Sequence, residues 1–202
     1  MDEINIVGTV ECDPVFSHEY GNQRYYKFTV LTKRLSGIYD RVICHINESR
    51  KHVISSGEKV SIRGEIRTFR MHGNDGKNHL QVFVTPTEIL HDEIEAEEDN
   101  DFGFIDGEIQ WILPIRRTPR GRLIIDFSIK SQRPTKYDTI PCIAWGDNAE
   151  MLSEFKEGDH IRIKGRLQSR EYLKRYDNGD EELKTAYEFS VFEIEGRQKW
   201  IK

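Results

Sequence analysis

Flat aromatic rings and permanently charged cations, the two side-chain types that grip an unpaired polynucleotide, are interleaved between Ile140 and Tyr172. Along His160–Arg170, the apolar residues Ile161, Ile163 and Leu167 alternate with or lie beside Arg162, Lys164, Arg166 and Arg170. Side chains of a β-strand point to opposite faces with a period of two, so this spacing predicts a buried row backed by a row of cations. Gly165 falls inside the row, where a strand can bulge and bend sharply. Trp145 and Tyr172 stand at its margins. Such a bent basic face suits a single-stranded nucleic acid, because Arg and Lys follow the phosphates while exposed rings stack on bases of any identity.

Further candidates for the same chemistry are spread over the chain. Arg116, Arg117, Arg120 and Arg122 crowd a short Pro- and Gly-containing loop with almost no acid beside them, the pattern of a phosphate clamp whose contacts release condensed counterions. Arg133, Lys136, Lys164, Arg166 and Arg170 are supporting cations, and Tyr137 and Tyr176 are further rings. Earlier in the chain, Arg67, Phe69 and Arg70 follow Gly64, and the pattern leaves Tyr25, Tyr26 and Tyr39 on either face. Trp111 has apolar neighbours and reads as core.

Catalysis finds no support. The chain has no Gly-rich phosphate loop, no HExxH, no nucleophile elbow and no metal-ligand spacing, so neither a catalytic residue nor a metal or other cofactor is expected. Cys12, Cys44 and Cys142 are an odd number without a CxxC pair, which argues against a disulfide framework and a zinc site. Cys44 and Cys142 lie in apolar strands, where a reduced cysteine packs as a small hydrophobe. No apolar run approaches the ~20 residues of a membrane span, and Met1-Asp2-Glu3 has no signal-peptide character, so a cytoplasmic protein is expected.

A net charge of −5 runs against a nucleic-acid ligand until it is divided along the chain. Residues 1–90 hold 12 Lys and Arg against 11 Asp and Glu, residues 91–101 hold 7 acids and no Lys or Arg, and residues 102–202 hold 18 against 17. The acidity is therefore concentrated in His91–Asp101, which self-repels, offers little to bury and reads as an exposed linker. The flanking segments are close to neutral and have room for local basic faces.

Those segments repeat one another. Gly8 matches Gly107 and Phe28-Thr29-Val30 matches Phe127-Ser128-Ile129 at an offset of 99, while Asp40 and Cys44 match Asp138 and Cys142 at 98. Gly57–Ile66 matches Gly158–Leu167 at 101. Each copy predicts five strands: near Ile4–Glu11, Tyr25–Lys33, Asp40–Ile46, Lys59–Thr68 and Leu80–Leu90, then near Phe104–Leu113, Leu123–Lys130, Asp138–Trp145, His160–Arg170 and Lys184–Ile194. A short helix follows the third strand, over Glu48–Ser55 and Asn148–Phe155, and hairpin tips fall at His72–Gly76 and Asp177–Asp180. Five strands with a helix after the third is the layout of the OB-fold, an all-β, partly open barrel that binds oligonucleotides. The expected plan is a tandem: a first OB-fold over 1–90, an acidic linker over 91–101, and a second OB-fold over 102–202.

Cys142-Ile143-Ala144-Trp145-Gly146, Ala149-Glu150, Lys156–Asp159 and Lys164–Tyr172 follow one another in an order and spacing that resembles the bacterial single-stranded DNA-binding protein family, over roughly Phe104 to Ile194. The resemblance implies base-stacking roles for Trp145 and Tyr172 and non-sequence-specific binding of single-stranded DNA in replication, recombination, repair or mobile-element protection. It also implies assembly of four OB-folds, which a two-barrel chain would reach as a homodimer. The first copy is a degenerate version: Asn47 stands where Trp145 does, and Ala149-Glu150 has no counterpart in Glu48–His52, so weaker binding is expected there. Gly196–Lys202 is basic and lacks the acidic tip through which the family recruits proteins, which puts protein partners in doubt. Two other readings stay open, an OB-fold module of primosome type that contacts proteins and an RNA-binding OB protein.

Overall fold

In the computed structural model, residues 2–72, 76, 78–91, 99–176 and 179–198 are described. The first half runs β1 (Glu3–Val10), β2 (Val15–Tyr20), β3 (Gln23–Lys33), β4 (Tyr39–Asn47), a 3₁₀ helix (Glu48–Val53), β5 (Lys59–His72) and β6 (Asn78–Leu90). The second runs β7 (Asn100–Ile112), β8 (Arg116–Arg117), β9 (Leu123–Gln132), β10 (Tyr137–Trp145), α1 (Asp147–Leu152), β11 (His160–Arg175) and β12 (Glu181–Gln198). The protein is all-β apart from those two short helices.

Strand pairing closes a ring in each half. β1 pairs with β3 and β5, β5 with β6, β6 in parallel with β4, and β4 with β3. The second half repeats the circuit with β7, β9, β11, β12 and β10, again with one parallel contact, Cys142 opposite Phe189. Alternating side chains fill the interior, with Phe28, Val30, Val42 and Ile62 in the first half and Phe127, Ile129, Ile140 and Ile163 in the second, all at most 1% exposed. Cys44 and Cys142 are buried free thiols, and burial pushes both pKa values above the ordinary range.

Gly165 lies where the expectation put a bend: the β11–β12 register shifts between Lys164 and Gly165, and its first-half counterpart Gly64 marks the same shift between β5 and β6. The close approach demands glycine. A Cβ at position 165 would lie 2.2 Å from the Ser190 carbonyl oxygen, and one at position 64 would lie 2.7 Å from Val84 Cγ1.

The halves join through β1 and β7, antiparallel, with Ile4 opposite Gly103. Because the repeat offset near this point is 99, Ile4 and Gly103 are each other's counterparts, and the pair marks an approximate two-fold axis. Two buried aspartates complete the joint symmetrically. Asp40 accepts the Ser169 backbone N–H (2.8 Å) and holds Arg34 (2.5 Å), while Asp138 accepts the Thr68 backbone N–H (2.7 Å) and holds Arg133 (2.5 Å). Buried carboxylates are tolerated only when paired and hydrogen-bonded, and each of these is both.

Several elements depart from expectation. β2 and β8 are additional strands. β2 carries Phe16, His18 and Tyr20 between polar residues, a short amphipathic run; β8 is only two residues long. The linker ends earlier than its charge suggests, since Asn100 and Asp101 are paired in β7. Asp99 accepts the Lys33 N–H and pairs with Lys59, and Asp101 is buried with the Leu167 N–H on its carboxylate (3.2 Å). Residues 92–98, most of both hairpin tips and residues 199–202 lie outside the described residues. Trp111 is 36% exposed because a bulge between Ile109 and Trp111 breaks the alternation that would have turned it inward. The two helices also differ: α1 buries Ala149 and Leu152, whereas the first half, with polar Ser49, Arg50 and Lys51 there, forms a 3₁₀ helix that buries nothing.

Candidate nucleic-acid interface

Trp145 and the Arg166–Glu171 stretch of β11 line one groove of ≈ 830 Å³, and the first half supplies its opposite wall. Trp145 at the end of β10, Arg122 before β9, and Arg166 and Arg170 on β11 come from the second half. Tyr39 and Arg41 on β4, with Arg34 just before it, come from the first. Trp145 is half-buried, and the Arg122 guanidinium lies 5.2 Å from its ring centroid. Arg170 is 5.8 Å from the ring of Tyr172, which is 38% exposed just beyond the groove. Rings and guanidiniums thus alternate along the wall.

Not all of these cations are equally available. Arg34 is committed to Asp40, and Arg41 to Glu11 (2.7 Å) and Glu171 (3.6 Å). Arg170 lies 3.8 Å from Glu188. Arg166 is different: its Nε is buried with no hydrogen-bond partner among the described residues. Burial first, and then the charge of Arg34, pull its pKa below the ordinary value. A buried guanidinium N–H without an acceptor costs free energy.

The other candidates are placed elsewhere. Arg116 is not free as its neighbourhood suggested: it starts β8 and pairs with Asp126 (2.5 Å). Arg117 donates to the Gly121 carbonyl (3.0 Å), and Arg120 is exposed in the same turn. Arg133 is held by Asp138, and Arg67 by Glu65 and Asp138, so both serve the joint between the halves. Lys164 lies over the rings of Phe102 (5.9 Å) and Phe104 (5.7 Å), outside the groove. Tyr176 donates to Glu182 at the outer end of the β11–β12 hairpin. Tyr137 is 50% exposed beneath Lys130 (4.8 Å), and as the repeat counterpart of Tyr39 it belongs to the opposite side of the joint. Phe69 and Arg70 are on that side as well, next to Thr68. Asn47, in the position of Trp145, accepts the Ser49 hydroxyl (2.7 Å).

Arg34, Arg41 and Phe192 line the groove and were not picked out as site residues. Arg41 was within reach, because it takes an outward position in the alternation of Asp40–Ile46. Arg34 and Phe192 depend on how the two halves meet, which no local pattern encodes. Among the described residues no group of three or more His, Cys, Asp or Glu is placed to hold a metal ion, and no helix is long and apolar enough to cross a membrane.

Such a circuit of strands is the layout of the OB-fold. Residues 104–194 match the model of the single-strand binding protein family, so the resemblance carried by Cys142–Tyr172 holds for the second half. The whole chain superimposes on the wild-type single-stranded DNA binding protein from Thermus aquaticus, with a TM-score of 0.75 at 15% identity, covering 100% of this chain and 95% of that one. A deletion mutant of the same Thermus protein gives 0.74 at 16% identity, covering 100% and 97%. At these identities the likeness is one of fold. No curated protein matches the chain significantly in sequence.

Proposed function

We propose that the chain is a tandem of two OB-type barrels that binds single-stranded DNA with little sequence preference. The observation that carries this reading is the placement of Trp145, Arg122, Arg166 and Arg170 along a single groove. Base–aromatic stacking contributes ~1–3 kcal/mol per base and is indifferent to base identity. Arginines on the same wall offer donors to phosphate oxygens along the backbone. The Thermus likeness extends over both halves, which supports a strand path that uses the joint between them. We further propose that two chains associate as a homodimer, which light scattering at the mass of a single chain would refute.

Fluorescence anisotropy with labelled dT, rU and duplex oligonucleotides across a salt series tests the ligand. Tight binding of dT that weakens steeply as salt rises is the expected result. Preference for rU would assign the groove to RNA, and no binding of either would assign the fold to a protein-contact role.

A further inference from the structure

Arg166 lines two cavities at once. One is the Trp145 groove, and the other is a smaller cavity of ≈ 400 Å³ walled by the end of β3 and the start of β7. Arg34 and Phe192 also line both, so the two cavities share a wall. Arg34 is fixed in that wall by Asp40 and by the Ser169 carbonyl (3.3 Å). Arg166 has no such clamp. Its guanidinium lies over the Phe192 ring, 5.5 Å from the centroid, and its buried Nε has no hydrogen-bond partner among the described residues.

Asp101 on β7 lines the smaller cavity too. One of its carboxyl oxygens accepts the N–H of Leu167, the residue after Arg166, and the other is buried without a partner. A donor lacking an acceptor and an acceptor lacking a donor therefore occupy one cavity. A neutral carboxyl tolerates that arrangement, whereas a buried carboxylate needs a cation. Of the charged groups around Asp101, Asp40 opposes its ionisation and Arg166 and Arg34 favour it. Lys33 and Asp99 stand on the rim, Asp99 being paired with Lys59 (3.5 Å). Cys44 on β4 is a buried thiol whose raised pKa keeps it uncharged. Burial outweighs all of these and sets the Asp101 pKa at about 8.

We propose that Asp101 is a positioning residue for Arg166: while its carboxyl is neutral, Arg166 serves the groove, and when it ionises it draws the guanidinium into the smaller cavity and weakens the hold on a phosphate. The inference rests on the proposed function above. The repeat supplies a built-in contrast. Asp2 answers to Asp101 and is equally buried, but Glu65, paired with Arg67, stands in the position of Arg166. Around Asp2 are the Asp106 N–H (3.3 Å) and Ser131. Neutral Asp101 is the tight-binding form, so the added affinity is complete below pH ~7 and is lost as pH climbs through about 8. By linkage, a phosphate engaging Arg166 favours the neutral carboxyl, so binding near pH 8 takes up protons.

Fluorescence anisotropy of the full chain with labelled dT, at fixed salt from pH ~6.5 to ~9, reads the effect. Wild type should bind about tenfold more weakly at the upper end, the loss of one charge-assisted contact. Asp101→Asn, which cannot ionise, should remove that fall, and Asp2→Asn should keep it. A purely structural Asp101 would alter stability and leave the affinity profile as it is. Calorimetry of wild type near pH 8, in two buffers of different ionisation heat, should show proton uptake on dT binding that Arg166→Gln abolishes. A wild-type affinity level across the range, or a fall that Asp101→Asn retains, overturns the proposal and leaves the proposed function standing. Wild-type protein that binds dT at no pH removes both. Should Asp101→Asn fail to fold by circular dichroism, calorimetry decides, and binding without proton uptake overturns the proposal.

Discussion

The two sides of the joint are related by the same approximate two-fold axis but have opposite chemistry. One side holds Arg34, Arg41, Arg122, Arg166 and Arg170 around a single indole. The other holds Phe69, Phe83, His45, His18 and Tyr25, with cations at its border. By the repeat, Arg170 on one side answers to Phe69 on the other, and Trp145 to Asn47. What the contrast teaches is that a repeated backbone fixes where side chains stand, while the outward half of each strand's alternation decides whether those positions carry charge or rings.

The sharpest way to break the comparison is to strip the rings from the basic side. Trp145→Ala with Tyr172→Ala is expected to weaken dT binding by about 100-fold, two lost stacks at ~1.4 kcal/mol each. Anisotropy reads this directly, and an unchanged affinity would move the binding surface elsewhere. Next in size is the pair of tight glycines. Gly165→Ala drives a Cβ to 2.2 Å from the Ser190 carbonyl oxygen and should cost ~2 kcal/mol, more than Gly64→Ala, which meets Val84 Cγ1 at 2.7 Å and the Thr85 carbonyl oxygen at 2.8 Å. Denaturant midpoints that fall in the reverse order would show that the second half absorbs the strain more easily than its geometry allows.

The buried acids at the joint give a third comparison. Burial, aided by the charge of Asp40 and opposed by the Leu167 N–H, Arg166 and Arg34, pushes the Asp101 pKa from 3.8 up to about 8. Its repeat counterpart Asp2 is raised too, again mainly by burial. A carboxyl with a raised folded-state pKa favours the native state while protonated, so its contribution is complete below pH ~4 and is lost as pH climbs through about 8. Asp101→Asn keeps an acceptor for the Leu167 N–H and cannot ionise. Thermal melts should therefore show it gaining on wild type as pH rises from ~4 to about 8. An identical pH profile for the two proteins would mean that Asp101 ionises without cost.

Smaller effects sharpen the picture. Arg166→Gln should lower the slope of log affinity against log salt by ~0.7, one phosphate contact on a single strand, whereas Arg133→Gln should leave the slope alone because Asp138 occupies that side chain. Asn47→Trp, which places an indole where the first half lacks one, should raise dT affinity by at most about tenfold. No gain would mean that the 3₁₀ helix, unlike α1, does not hold the ring at the lip.

The repeat made much of the fold legible. Matching glycines and matching Phe-Thr-Val and Phe-Ser-Ile runs placed ten strands close to their observed bounds, because period-two alternation survives wherever one face of a strand is buried. β2 stayed hidden since its outward rings and inward polar residues never settle into a buried row, and Trp111 was misplaced by a bulge that has no local signature. Within the groove, Trp145, Arg122, Arg166 and Arg170 could be picked from the chain, but Arg34 could not. Its contact with the Ser169 carbonyl (3.3 Å) exists only after the halves meet. Arg133 and Arg67 show the complementary case: a cation read as a ligand contact in the linear sequence is paired once buried Asp138 from another strand arrives.

Joining β1 to β7 at Ile4 and Gly103 has an outcome for heredity as well as shape. Two identical subunits facing each other across an axis must carry every change twice, so neither edge of their contact can specialise. Fusion into one polypeptide lifts that constraint and permits division of labour between the edges. A polynucleotide runs 5′ to 3′, and a surface with unlike ends is able to seat it one way round.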